Sequence, residues 1–221
     1  MKLLLKACIK FVLGLLIVGM LLFLPAGTFE YWNAWLLIGL LFVPMFFVGI
    51  VLFKKNPDLL EKRLNGKEKE QQQKTVIKLS IILFITGFIL SGLDFKYGWS
   101  SLPMKSIVVG SVIVIISYGL YIEVMRENTY LSRNVEIQKN QKLVDTGLYG
   151  IVRHPMYMAT SLLFLSFPIV LGSVYAFFLF LAFPFVLAKR IKNEEQILEE
   201  GLEGYKEYKQ KVKYKMIPFI W

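Results

Sequence analysis

Apolar residues in this sequence are gathered into long runs that short polar segments separate. Four of the runs, residues 3–24, 32–53, 76–93 and 104–122, lie in the first part of the chain. Each is close to the length of helix, roughly 20 residues, that crosses the ~30 Å hydrocarbon core of a bilayer. The pattern therefore predicts four transmembrane helices.

A fifth apolar run, residues 156–188, is too long for one crossing and short for two. Pro168 and Gly172 lie near its middle and favour a turn there. The run predicts a helical hairpin with arms of about 16 residues, each rising about 24 Å at 1.5 Å per residue. Such arms either stop short of the far surface or require a locally thinner bilayer. Both ends of the hairpin return to the same side of the membrane.

Composition supports a membrane protein rather than a soluble domain. The 221 residues are 56% hydrophobic, and a mean hydropathy of +0.55 exceeds that of a soluble chain of this length. Barrel strands alternate apolar and polar residues, and the stretch IVLGSVYAFFLFLAFPF has no alternation. The predicted fold class is an all-α polytopic membrane helix bundle, with four transmembrane helices, a C-terminal helical hairpin and cytoplasmic cofactor-binding segments. The first run lacks a cleavage site and is expected to be a retained helix.

The distribution of basic residues predicts the orientation of the helices. Twenty-four of the 26 Lys and Arg residues fall in segments that strict alternation places on one side, and Lys96 and Lys105 fall on the other. Cytoplasmic loops carry such an excess. We expect both termini and the polar site to be cytoplasmic. The net charge of +10 then reflects topology and contact with anionic membrane lipids, and nucleic-acid binding is not expected.

Polar features divide the chain and limit its chemistry. Residues 1–125 are predicted to form the four-helix membrane region, and residues 126–221 hold most of the candidate chemistry. Asn56-Pro57 and Asn65-Gly66 predict turns between the second and third helices. One cysteine, Cys8, and one histidine cannot form a dedicated Cys/His metal site, so no metal site is expected.

The segment GLYGIVRHPMYMA, residues 147–159, contains the lone histidine where the fifth apolar run begins. Pro155 disfavours helical backbone at His154 and suits the first position of a helix. That helix would present the positive end of its dipole. Arg153 beside it therefore indicates an anion site. The alternative is that Arg153 extends to lipid phosphates and that His154 only caps the helix.

Complementary charges follow the other end of the hairpin. Arg190 and Glu194 are four residues apart, which places them on one helix face, and Glu195 is adjacent. Because both hairpin ends lie on one side, we expect these residues beside Arg153 and His154 in a mixed-charge pocket. The alternative is a solvated tail helix with routine ion pairs.

An ordered set of motifs runs through the C-terminal region: Gly-x-Tyr, Arg-His-Pro-x-Tyr, the apolar hairpin, Arg-x-x-x-Glu-Glu, Tyr-x-x-Tyr and Ile-Pro. As a set, over residues 130–218, they resemble the isoprenylcysteine carboxyl methyltransferase family of integral membrane enzymes that use S-adenosylmethionine. Membrane phospholipid methyltransferases have similar C-terminal regions. The first 120 residues resemble the family only in being apolar helices.

The resemblance implies a binding site for S-adenosylmethionine, which leaves as S-adenosylhomocysteine. Its residues would be Gln141, Leu143, Val144, Tyr149, His154, Pro155, Tyr157 and Glu194, with Asn134 as a further candidate. Arg190 corresponds to the arginine that binds the substrate carboxylate in the family. Arg153 and Glu195 complete the predicted catalytic set. The chain lacks the extra membrane helices of eukaryotic members. The resemblance therefore supports the identity of the methyl donor more strongly than that of the acceptor.

The predicted activity is methyl transfer to a lipophilic acceptor, with a prenylcysteine-type carboxylate as the first candidate. A carboxylate with a pKa of about 4 needs no base, and the guanidinium of Arg190 suits its orientation. A phospholipid amine or a small thiol would need a base, for which His154 and Glu194 are candidates. A transporter or scaffold stays open, although transporters place ionisable residues at the bilayer midplane, where the predicted helices carry none.

Overall fold

The computed structural model describes residues 2–64, 71–132, 134–135 and 137–221, without the side chains of residues 71 and 72. These residues form α-helices and one 3-10 turn and contain no strand, which confirms the all-α prediction. The helices are α1 Lys2–Ala26, α2 Trp32–Lys55, α3 Pro57–Leu64, α4 Gln71–Tyr97, α5 Met104–Glu127, α6 Pro155–Leu171, α7 Val174–Phe180, α8 Phe183–Gly201 and α9 Tyr205–Lys211, and the 3-10 turn is Gly147–Gly150.

Five segments of the described chain are long and apolar enough to cross a membrane. They are α1, α2, α4 from Gln73, α5, and α7 with α8 taken together as Val174–Gly201. Helix α6 is apolar but shorter, at 17 residues. The four predicted spans and the hairpin are thus confirmed in outline. The predicted division at residue 125 lies near the end of α5 and stays a prediction.

The hairpin turns at Gly172 and not at Pro168. Pro168 lies inside α6, whereas Gly172 ends the helix in the left-handed region at φ 79°, a conformation that glycine adopts without steric cost. Ser173 then caps α7 by accepting a hydrogen bond from the Ala176 N–H at 3.1 Å. The chain therefore reverses within two residues of the predicted centre.

The tip of the hairpin reaches the far end of the bundle. The Asn33 amide, at the start of α2, donates to the Val170 carbonyl at 2.8 Å. The hydroxyl of Ser173 donates to Asp94, near the end of α4. The 17 residues of α6 rise about 25 Å at 1.5 Å per residue. The hairpin therefore reaches the level where α2 begins and α4 ends.

The last part of the second arm and the first part of the charged tail belong to one helix, α8. Helix α8 begins in apolar sequence at Phe183 and continues without a break to Gly201. The sequence predicted that the apolar arm ends at residue 188 and that a charged helical tail follows it. Because α8 is continuous, Arg190 and Glu194 are held by the same helix as the apolar residues Phe183 and Leu187.

The helices between the two ends pack closely. Gly110 on α5 faces α6, and a Cβ atom there would lie 2.9 Å from Ile169 Cγ2. The core joins α4, α6 and α7 through aromatic rings, such as Phe88 and Phe167 with centroids 6.0 Å apart. Asn56 ends α2 and accepts from the Leu59 N–H at 3.1 Å, which confirms that predicted turn. The predicted Asn65-Gly66 turn lies outside the described residues.

Replacement of Asp94 by alanine is expected to destabilise the hairpin tip. The buried carboxylate accepts hydrogen bonds from the Ser100 N–H at 2.7 Å, the Ser100 hydroxyl at 2.6 Å and the Ser173 hydroxyl. Asp94→Ala leaves these donors unpaired, at a cost of about 2–4 kcal/mol, and lowers the thermal unfolding midpoint in detergent. The exposed Asp58 supplies the control, since Asp58→Ala should cost less than about 1 kcal/mol. Equal midpoints for the two variants would contradict the role of Asp94.

Candidate active site

The candidate site lies at the end of the bundle opposite the hairpin tip. Helix α6 starts there, α8 emerges there, and the 3-10 turn and the C-terminal segment lie beside them. His154 has non-helical backbone with φ −126° and ψ 62°, and Pro155 is the first residue of α6, as the sequence predicted. The His154 side chain makes no capping hydrogen bond. Its Nε2 lies 3.2 Å from Glu195 Oε1, so the interpretation of His154 as only a cap is wrong.

Arg153 is buried, with 5% of its surface exposed. Its Nε donates to Glu195 Oε1 at 2.7 Å, and its Nη1 donates to the carbonyls of Val212 and Lys213 at 2.6 and 2.9 Å. The alternative that Arg153 extends to lipid phosphates is therefore wrong. The anion beside Arg153 is a carboxylate of the chain itself, and the catalytic role of Arg153 and Glu195 stays a prediction.

The C-terminal segment is fastened across the start of α6. The Arg153 N–H donates to the Tyr214 carbonyl at 2.9 Å, and the His154 N–H donates to the Lys215 carbonyl at 2.7 Å. Met216 is buried against the apolar face of α8. The predicted motif set includes the Ile-Pro of this segment, but not its contacts with Arg153 and His154, because any residue can supply a backbone carbonyl.

Helix α8 divides its charged residues between two surroundings. Arg190 and Glu194 line a cavity, whereas Glu195, about 100° further round the helix, faces Arg153 and His154. Buried Gln73 of α4 donates to the Arg190 carbonyl at 3.3 Å and so holds this turn of α8 against α4. The predicted juxtaposition of the lone histidine with the paired acids is present in the structure.

Tyr157 connects Arg190 to Glu194. The Tyr157 hydroxyl accepts a hydrogen bond from Arg190 Nε at 2.7 Å and donates one to Glu194 Oε2. The Arg190 guanidinium carbon also lies 5.7 Å from the centre of the Tyr157 ring. The ring also stacks with that of His154 at a centroid distance of 5.6 Å. The side chains of α6 and α8 thus form one ordered polar surface.

The 3-10 turn holds Tyr149 in a fixed position. The Tyr149 hydroxyl accepts from the Asn128 amide at 2.9 Å, and its carbonyl accepts from the Tyr208 hydroxyl at 2.7 Å. Burial, together with the charge of Glu194, raises the pKa of Tyr149 against the opposing hydrogen bond from Asn128. The phenol is therefore neutral at physiological pH.

Only glycine fits at position 147, because the side chain of Glu127 lies against it. Gly147 has φ 53°, and a Cβ atom there would lie 1.4 Å from Glu127 Oε1. The other oxygen of Glu127 accepts from the Leu148 N–H at 3.1 Å. The side chain that requires glycine here therefore belongs to a residue 20 positions away in the chain.

The segment before the turn supplies the remaining predicted residues. Gln141 Oε1 accepts from the Gln138 N–H at 2.9 Å, and the Asn134 N–H donates to the Ser132 hydroxyl at 3.2 Å. Leu143 packs against the Tyr205 cluster of α9. Asn134 lines the same cavity as Gln141, and a cofactor contact for it stays a prediction.

One cavity of about 1130 Å³ joins these groups to the membrane helices. The cavity is lined by Arg153 and Arg190 but not by Glu195. It is also lined by every predicted cofactor residue: Gln141, Leu143, Val144, Tyr149, His154, Pro155, Tyr157 and Glu194. Further along, its lining is apolar and comes from α1, α2, α4, α5 and α6, as with Val18, Phe42, Phe84, Tyr118 and Phe167. The cavity is therefore polar at the site and apolar where it passes between the helices.

The part of the chain that builds this site is similar to a known family. Residues 105–203 match the phospholipid methyltransferase family model. The matched region begins at α5 and contains the 3-10 turn, α6 and all of α8. The family group that the motifs resemble is thereby confirmed for this region. The match and the apolar helices support an integral multi-pass membrane protein.

A curated relative also matches part of the chain. Over 84 residues the chain is 31% identical to a delta(14)-sterol reductase of Mus musculus. The aligned part covers 37% of this chain and 20% of the reductase. The chain thus spans about a fifth of the length of the curated relative that it matches.

Proposed function

We propose that this protein transfers a methyl group from S-adenosylmethionine to a lipophilic acceptor at the membrane surface. A single observation carries the proposal: one cavity is polar where the predicted cofactor residues meet and apolar where it runs between membrane helices. A polar methyl donor can therefore enter the cavity from water, and a lipophilic acceptor can reach the same cavity from the bilayer. The family match supports methyl transfer as the chemistry.

The residues at the polar end fit S-adenosylmethionine. The carboxylate of Glu194 can accept hydrogen bonds from an ammonium group or from ribose hydroxyls. Leu143, Val144 and the ring of Tyr149 offer apolar faces for an adenine. The cavity, at about 1130 Å³, exceeds the usual range of ligand pockets, about 300–1,000 Å³, and leaves room for part of an acceptor. When bound, the cofactor supplies a methyl group activated by a sulfonium.

In this proposal Arg190 orients the acceptor. A guanidinium binds a carboxylate through two parallel hydrogen bonds. The hydrogen bond to the Tyr157 hydroxyl, which in turn donates to Glu194, holds Arg190 in place. The carboxylate is already ionised at neutral pH, so no residue has to remove a proton. Correct orientation of two reactants is worth about 7–11 kcal/mol of barrier, and walls of α4 and α6 exclude water.

Arg153 and Glu195 act through their neighbours and not on the reactants. Their ion pair is buried, and the guanidinium of Arg153 also binds two backbone carbonyls. The pair fastens α6, α8 and the C-terminal segment together and holds the ring of His154. We therefore assign Arg153 and Glu195 a positioning role in place of the predicted catalytic one.

A phospholipid amine is the second candidate acceptor, because the matched family model is that of phospholipid methyltransferases. An amine must lose a proton during transfer, and the candidate bases are Glu194 and His154. We place the site at the cytoplasmic face, since most basic residues fall on that side and the methyl donor is a cytosolic metabolite.

Transfer of a tritiated methyl group tests the function and the acceptor together. Purified protein in lipid nanodiscs is incubated with labelled S-adenosylmethionine and, separately, with a prenylcysteine analogue, phosphatidylethanolamine or a hydrophobic thiol. The proposal expects label in a base-labile ester of the prenylcysteine analogue. Label in the phospholipid would establish the second candidate instead. Absence of transfer to all three would overturn the proposed function.

A further inference from the structure

Tyr205 lies in the cavity wall, and no prediction assigned it a role. It is the first residue of α9 and follows Gly204, which has φ 80°. Its side chain is buried, with 3% exposed, and its ring lies 5.7 Å from that of Tyr208. It packs near Leu143, one of the predicted cofactor residues. Tyr205 and Leu143 line the same cavity as Glu194.

The hydroxyl of Tyr205 has no hydrogen-bond partner among the residues that the structure describes. Its neighbours differ in this respect: the Tyr208 hydroxyl donates to the Tyr149 carbonyl, and the Tyr149 hydroxyl accepts from Asn128. Buried polar groups in folded proteins are almost always paired, because an unpaired one loses its hydration without compensation. A phenol that is buried, unpaired and in a cavity wall is suited to a partner that the ligand brings.

The charges around the hydroxyl restrict what that partner can be. Burial, and after it the negative charges of Glu195 and Glu194, raises the pKa of Tyr205. The phenol therefore stays protonated and can both donate and accept a hydrogen bond. Arg153 is near, but its guanidinium already binds Glu195 and two carbonyls. The surroundings favour a ligand group that carries an ammonium for the acids and an acceptor for the phenol.

We propose that the Tyr205 hydroxyl binds the amino-acid end of the methyl donor. That end is a zwitterion: its ammonium is attracted by Glu194, and its carboxylate accepts a hydrogen bond from the phenol. Neutral adenosine lacks this pair of charges and suits the apolar surface of Leu143 and Val144 better. The inference rests on the proposed function and adds to it the residue that recognises this part of the cofactor.

Calorimetric titration of two ligands tests the assignment in the detergent-purified full chain. S-adenosylhomocysteine contains the amino-acid end, and methylthioadenosine lacks it. Tyr205→Phe is expected to raise the Kd of S-adenosylhomocysteine by about 10-fold or more, as for a hydrogen bond to a charged group. The Kd of methylthioadenosine should change less than about twofold. The unliganded variant should unfold at the same temperature as wild type or higher, because the lost hydroxyl has no partner to lose.

Tyr208→Phe is the matched control for stability. It removes a hydroxyl of the same helix that does have a partner, the Tyr149 carbonyl, so the unfolding temperature should fall. An unchanged affinity of Tyr205→Phe for S-adenosylhomocysteine would overturn the inference alone, as would an equal loss for both ligands or a fall in the unfolding temperature. Absence of S-adenosylhomocysteine binding by wild type would overturn the proposed function, and the inference with it.

Discussion

Arg190→Ala is expected to lower kcat/KM for the prenylcysteine analogue by about 10²–10³-fold, the usual effect of removing a group that orients or stabilises the reacting centre. The guanidinium lies in the cavity and is held by Tyr157. Because Arg190 orients the acceptor in the proposal, the affinity for S-adenosylhomocysteine should stay within about threefold of wild type. Initial rates of label transfer and a titration of the product check both expectations.

Two further substitutions sharpen this prediction. Arg190→Lys retains the charge but loses the planar fork that binds a carboxylate bidentately, so its rate should lie between those of wild type and Arg190→Ala. Lys189→Ala removes the neighbouring exposed cation, which does not line the cavity, and should leave the rate within about twofold. A similar loss for Lys189→Ala would mean that general charge, and not orientation, explains the effect. A parallel loss of product binding would contradict the role given to Arg190.

Glu195→Ala is expected to lower the free energy of unfolding by about 3–5 kcal/mol, as for a buried ion pair that loses one partner. The substitution leaves Arg153, which is 5% exposed, as a buried cation beside the ring of His154. It also loosens the C-terminal segment that Arg153 holds through two carbonyls. Equilibrium unfolding in mixed micelles measures the loss.

The double variant Arg153→Ala with Glu195→Ala separates a buried pair from independent contacts. Because the second substitution removes the charge that the first left unpaired, the double variant should lose less than the sum of the two single variants. Glu203→Ala, in an exposed position, is the control and should cost less than about 0.5 kcal/mol. Additive losses of unfolding free energy would contradict the positioning role of the Arg153–Glu195 pair, as would a cost for Glu195→Ala no larger than that of the control.

The helices were predictable because a membrane restricts the options. Backbone groups in hydrocarbon must be satisfied within the segment, so a long apolar run specifies a helix almost by itself. The ends were less predictable, because helices continue into polar sequence. Helix α4 extends to Gln71–Tyr97 around the predicted run 76–93, and α8 continues past residue 188 to Gly201.

Proximity within the site was predictable for a topological reason. Both ends of a hairpin lie on one side, so His154 had to meet the residues that follow the second arm, and it lies 3.2 Å from Glu195. Helical periodicity also placed Arg190 and Glu194 on one face, and both line the cavity. The sequence did not predict that Glu194 lines the cavity while Glu195 pairs with Arg153. This difference depends on how α8 is rotated against α6.

Contacts between distant segments were not predictable. The approach of Glu127 to Gly147 and the carbonyls of residues 212–215 that bind Arg153 and His154 depend on packing across the whole bundle. The unpaired hydroxyl of Tyr205 can be recognised only when its surroundings are known.

A crystal structure with S-adenosylhomocysteine bound would show where the methyl donor lies. We expect density for the product at the polar end of the cavity, in contact with His154, Tyr157 and Glu194, and a continuous apolar path from its sulfur to the space between α4 and α6. Density at another surface, or a product whose sulfur faces away from Arg190 and from that path, would overturn the proposed site.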